Sequence, residues 1–240
     1  LRAKYQGVDH PDYACTIRNL AETYRDLDSL ELAEELAINS IEVLRKTTGT
    51  DNIEYAKALN IRGLISKDKK NFKLADSLFE KAISICERND FEDERICSYF
   101  YSNLSNVRER FGYQESAGEL LRKAYEMLDA PDCRDYRFYP GLCGQLASYY
   151  SRHIYNKKAE PLFKKALKLM KEKFGEGYRG YSTILSNYGV NLYHAGKFKK
   201  AEQIFLKVLE LCKKYGYTDK YIESEFVIST FYFEKQEYGK

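Results

Sequence analysis

The sequence predicts an all-α chain, a solenoid of antiparallel helix pairs, and three observations predict it. Ala33, Ala75, Ala117, Ala159 and Ala201 stand at a constant 42-residue step. Twelve residues before each lies a small residue: Ala21, Gly63, Ser105, Ala147 and Gly189. Element-breaking residues are scarce, with 4 Pro and 14 Gly in 240 residues. A fixed period in this range marks an array in which one supersecondary unit is copied and each copy buries its apolar face only against its neighbours. Stacking of that kind lets a long chain fold without one large interior.

The copies run 9–50, 51–92, 93–134, 135–176 and 177–218. Residues 1–8 read as the tail of a preceding repeat and 219–240 as the first helix of a sixth, so the chain reads as a segment of a longer array. With each repeat alanine numbered twenty, positions four, seven and eight are mainly apolar or small: Ile17, Leu20, Ala21; Leu59, Gly63; Tyr101, Leu104, Ser105; Cys143, Leu146, Ala147; Leu185, Tyr188, Gly189. That i, i+3, i+4 spacing is a helix buried on one side. Arg62 stands where Leu20, Leu104 and Leu146 stand, and reads as a snorkelling stem. The second helix carries the alanine, an apolar residue four on (Ala37, Phe79, Leu121, Phe163, Phe205), and a small one at seven (Ser40, Ala82, Ala124, Ala166, Val208). Small residues recurring where two helices cross let the backbones approach and the large residues interlock. Gly7, Gly49 and Gly175 fall in register between copies and predict left-handed caps, with His10-Pro11 opening the next helix. Copies three and four have Phe91 and Cys133 at that position, so their entrances are expected to differ.

Composition excludes several classes. With 39 Lys+Arg against 36 Asp+Glu the formal charge is +3, too balanced to advertise nucleic acid. No apolar run reaches the roughly 18 residues of a membrane span, so no membrane insertion is expected. The six cysteines show no C-x-x-C pairing and no histidine at ligand spacing, so no metal is expected. Cys86 and Cys212 fall where other copies carry Leu44, Leu128 and Met170, and read as small core hydrophobes. Structural thiols belong in a reducing compartment, and a cytoplasmic setting is the expectation. His10, His153 and His194 lack a partner nucleophile or carboxylate at meaningful spacing and there is no phosphate-cradling glycine motif, so neither an enzyme nor a cofactor is expected. The lysines of 157–173 and 197–214 map onto the outer faces of second helices and read as a solvated surface.

The small, small, aromatic, small arrangement of Gly189, Ala201, Phe205, Val208 and of Ala147, Ala159, Phe163, Ala166 resembles the tetratricopeptide repeat (TPR), in the 42-residue form of kinesin light chains. The resemblance covers nearly the whole chain and implies a right-handed superhelical α-solenoid. It further implies a scaffold that binds a linear peptide segment of a partner protein in a concave groove; an alternative is docking of another domain of the parent chain. At 100° per residue, positions two, five, six, nine, twelve and thirteen of the first helix lie away from the second helix. The candidate groove residues are Arg18, Asn19, Arg25, Lys57, Asn60, Lys67, Tyr99, Asn103, Asn106, Arg110, Gln145, Ser148, Arg152, Asn187 and His194. Asn19, Asn103 and Asn187 share one position in alternate copies, and a side-chain amide can pair with both polar groups of an extended peptide backbone. The carboxylate clamp of chaperone co-factors is not matched, because Arg18 is followed by Glu22 where that clamp needs Asn. Gly141, Gly144, Ser148 and Ser151 suggest a shallow slot in copy four.

Overall fold

The computed structural model describes residues 7, 9–90, 93–130, 133, 135–153, 156–217, 229–230 and 232. Among them ten helices follow in order: α1 (Pro11–Asp26), α2 (Leu30–Thr47), α3 (Ile53–Asp68), α4 (Phe72–Arg88), α5 (Glu94–Arg110), α6 (Gln114–Leu128), α7 (Tyr139–Arg152), α8 (Asn156–Phe174), α9 (Arg179–His194) and α10 (Phe198–Tyr215). No strand occurs among the described residues. The expected repeat tail at 1–8 lies almost wholly outside the described residues, and so does most of the sixth first helix at 219–240.

Local chemistry fixes the helix ends. Asn52 accepts from the Tyr55 amide at 2.9 Å, Asn71 from Leu74 at 3.3 Å, and His10 Nδ1 from Asp12 at 3.1 Å, with Pro11 in the first turn of α1. Each satisfies a donor that the first helical turn leaves orphaned. Gly49 and Gly175, at φ +80° and +78°, adopt the left-handed conformation that the register predicted. At the entrance to copy three, Asp90 takes a positive φ of 45° in place of a glycine.

Each odd-numbered helix packs most extensively on the even-numbered helix after it, α1 on α2 through α9 on α10. The repeat alanines Ala33, Ala75, Ala117, Ala159 and Ala201 are all fully buried at these crossings. The interlock is direct in two copies. A Cβ on Gly63 would stand 2.6 Å from Phe79 Cε1, and one on Gly189 would stand 2.6 Å from Phe205 Cε1. Ser40 Oγ donates to the Ala14 carbonyl and Ser105 Oγ to that of Ala117, each at 2.8 Å across its helix pair.

The contacts divide the chain into two compact units, Leu1–Cys133 with α1 to α6 and Arg134–Lys240 with α7 to α10. Within the first unit, α2 packs on α3 and α4 on α5, so each first helix also touches the second helix of the repeat before it. Position seven faces that preceding helix: in the second unit the Tyr188 ring lies 5.6 Å from that of Phe163 in α8. Leu20 departs from expectation: it is 41% exposed although Leu104 and Leu146 are buried at the same repeat position. Arg62 is half-buried at that position, with Nε shielded from solvent and without a hydrogen-bond partner among the described residues.

The cysteines require a correction. Cys86 was expected to be a packing thiol, but its sulfur is bonded to that of Cys97, joining α4 to α5 across 11 residues. Eleven residues apart, the two cysteines fit no metal-type spacing, and only helix packing brings them together.

Candidate functional site

The first helices of the first unit, α1, α3 and α5, lie side by side, and polar groups join them. Glu54, at the start of α3, is a hub. It accepts from Arg18 and, at 2.7 Å, from Lys57, and the Cys15 thiol donates to it at 3.2 Å. Burial pushes the Glu54 carboxyl up, but the hydrogen bonds from Arg18 and Lys57 outweigh it and hold it at about 2. Burial and the bond to Glu54 push the Cys15 thiol up.

Further along the row, Arg25 donates from Nη2 to Asp26 at 2.8 Å and its Nε lies 3.4 Å from the Asp68 carboxylate, while its Nη1 is buried without a partner among the described residues. Lys67 on α3 is half-buried, with Nζ 4.0 Å from Asp68. Burial lowers its pKa, the fields of Arg25 and Arg110 add to that, and Asp68 opposes it. Arg110 is exposed, with its guanidinium carbon 5.2 Å from the centre of the Phe72 ring. The Tyr99 phenol is pushed up by burial, with Arg25 and a hydrogen bond with Asn103 acting the other way.

The candidate residues therefore separate. Asn19, Asn106, Arg110, Arg152 and His194 are exposed, and Arg18, Arg25, Lys57, Lys67, Tyr99, Gln145 and Asn187 are half-buried. Asn60, Asn103 and Ser148 are buried, at 2%, 6% and 7% exposure, and do not open onto a partner. Asn103 Nδ2 donates to Asn60 Oδ1 at 2.9 Å between α5 and α3. In the second unit, Asn187 Nδ2 donates to Ser148 Oγ at 3.1 Å and Asn191 Nδ2 to Ser151 Oγ at 3.2 Å, joining α9 to α7. The repeated amide is thus largely a rung between neighbouring first helices. The amide points away from its own helix pair, and the neighbouring first helix covers that side. The slot of copy four is filled for the same reason, since a Cβ on Gly144 would meet Ile184 Cγ1 of α9 at 2.8 Å.

Sequence reading missed Glu54 and Asp68, the acids that hold the row. Their signal was present but oblique: a carboxylate 36 residues after Arg18 and another 43 after Arg25, close to one repeat away. Among the described residues no cluster of His, Cys, Asp and Glu could hold a metal ion, and no helix is long and apolar enough to cross a membrane.

Paired helices, a shared 42-residue register and polar rungs between successive first helices define a repeat scaffold, the class of protein that holds other proteins. The sequence matches the tetratricopeptide repeat family model over residues 12–88 and 156–214, more than half of the chain, and the protein belongs to that family. No curated protein matches the sequence. Among solved structures it is similar to a putative kinesin light chain from Podosopora anserina with nearly identical TPR-like repeats, at TM-score 0.67 and 14% identity over 85% of this chain and 97% of that one. It is similar to BtubC (BKLC) from P. vanneervenii, at TM-score 0.63 and 17% identity over 87% and 93%. A third likeness is to YrrB, described as a TPR protein with an unusual peptide-binding site, at TM-score 0.50 and 17% identity over 81% and 84%.

Proposed function

We propose that the chain holds a linear peptide segment of a partner protein along the first-helix face of Leu1–Cys133, with Arg25, Tyr99, Lys67, Arg110, Asn19 and Asn106 as its contacts. Lys67 carries this reading. It is a half-buried ammonium whose neighbouring carboxylate stands at 4.0 Å, beyond hydrogen-bond reach, with Arg25 and Arg110 adding to the positive field. Partial burial raises the strength of any bond it makes to a ligand carbonyl or carboxylate, because less water competes. Asn19 and Asn106 lie exposed on the same helices. The peptide-binding site in the description of YrrB adds precedent within the fold.

The test is selection of peptides from a random displayed library on the purified chain, followed by titration of the winners against Lys67→Ala and Arg110→Ala. Loss of about tenfold in affinity at each, with unchanged helical signal, is the expected result, the scale of one charge-assisted hydrogen bond. Winners that bind both variants as tightly as the parent would remove this face from consideration.

A further inference from the structure

The joint between the second and third repeats differs from the others at two places that belong together. Eleven residues after each repeat alanine stand Leu44, Cys86, Leu128, Met170 and Cys212, and eleven further on stand Tyr55, Cys97, Tyr139, Tyr181 and Glu223. The usual occupants are thus a large aliphatic residue at the end of one repeat and a tyrosine at the start of the next. Only the second-to-third joint has cysteine at both, and there the two sulfurs are bonded, with Cα atoms 6.0 Å apart. In the fourth-to-fifth joint Met170 and Tyr181 fill the same two buried positions. Met170 Cε stands 3.6 Å from where a Cβ on Gly180, the residue before Tyr181, would lie. Losing a bulky aliphatic and a tyrosine from a buried contact would leave a cavity; a sulfur bridge spans the same gap covalently. The same joint lacks the glycine that caps other copies and relies on Asp90 at positive φ. It has therefore given up two ordinary fastenings and carries a covalent one.

We propose that Cys86 and Cys97 form a site of thiol–disulfide exchange that fastens the second repeat to the third, so that the strength of this joint follows the redox state of its surroundings. Two thiols react with a small-molecule disulfide such as oxidised glutathione. The Cys86 and Cys97 S–H bonds break, the intramolecular S–S bond forms, and two electrons and two protons pass to the acceptor, which leaves as two thiols. Both cysteines are essentially solvent-free once joined, so reduction waits on local opening of the joint. Cys212 occupies the Cys86 position of its own repeat but has Glu223 at the matching place, so the device belongs to one joint.

The experiment uses the full chain equilibrated with oxidised glutathione or with a phosphine reductant, alkylated and mapped by mass spectrometry, and melted under both conditions. The expected map shows a Cys86–Cys97 cross-linked peptide only in the oxidised sample. The melting temperature of the oxidised form should exceed that of the reduced form by on the order of 5–10 °C, the scale for closing a short loop. The double variant C86L/C97Y, which installs the usual occupants, should melt at one temperature in both conditions and above the reduced parent. Free, alkylated Cys86 and Cys97 after oxidation, or equal melting of the parent in both conditions, would overturn the proposal. A misfolded C86L/C97Y would itself count against the equivalence with the other joints.

Discussion

Gly63 and Gly141 show how much one missing side chain decides. A methyl on Gly63 would sit 2.6 Å from the Phe79 ring, which is itself fully buried and cannot swing aside, whereas one on Gly141 would meet nothing within 4 Å. Gly63→Ala should therefore cost about 1–3 kcal/mol through overpacking. Gly141→Ala should be neutral or stabilising by up to about 1 kcal/mol, since alanine is the better helix former. Urea denaturation of the two variants checks this, and equal effects would show that the interlock is loose. The asparagines carry a related lesson. Asn103 reads from sequence as a surface amide available to a ligand, yet it is buried and spends a donor on Asn60. One sequence position, repeated across copies, serves packing in one place and solvent in another, as Asn19 does.

Between elements, carboxylates act as clasps. Glu54 joins α1 to α3 through Arg18 and Cys15. In the second unit Glu160 on α8 accepts from Lys164 on its own helix and from Lys197 at the head of α10. Hydrogen bonds from Lys164 and Lys197 hold the Glu160 carboxyl at about 2, against a small opposing effect of burial. Both folded values lie below the ordinary 4.5 of glutamate. The stability each carboxylate contributes is thus complete above that ordinary value and is lost as pH falls through about 2. Glu54→Gln should flatten the fall in urea midpoint through this acid range while lowering the midpoint at neutral pH. A variant whose acid limb runs parallel to that of the parent would show that Glu54 does not couple α1 to α3.

At the scale of the whole molecule, the near-balance of charge conceals a division. Residues 1–133 hold 19 basic and 25 acidic side chains and residues 134–240 hold 20 and 11. The surplus of the second part sits largely on α8 and α10, where Lys157, Lys158, Lys164, Lys168 and Lys171 of α8 and Lys199, Lys200, Lys213 and Lys214 of α10 are exposed. Within each compact unit a repeat rests on its sequence neighbours, so stability there is a sum of local terms and does not depend on one closed core. Residues 1–133 expressed alone should accordingly keep a helical far-ultraviolet spectrum and unfold in urea with a cooperative transition. A random-coil spectrum would show that the first compact unit depends on the rest of the chain.

The sequence by itself determined the helix pairs, their register and the family, because these rest on short-range rules. The 42-residue alanine step, the 3.6-residue apolar stripes and the glycine caps at Gly49 and Gly175 all act within one repeat, and a periodic pattern repeats that information five times. Only the tertiary structure decided which polar residues face outward. Whether Asn60, Asn103 and Ser148 are open or buried depends on the neighbouring first helix, some forty residues away, and a single-helix projection does not contain it. The Cys86–Cys97 bond and the Glu54 hub belong to the same class of fact. They join side chains of successive repeats, and their geometry exists only once the helices have stacked.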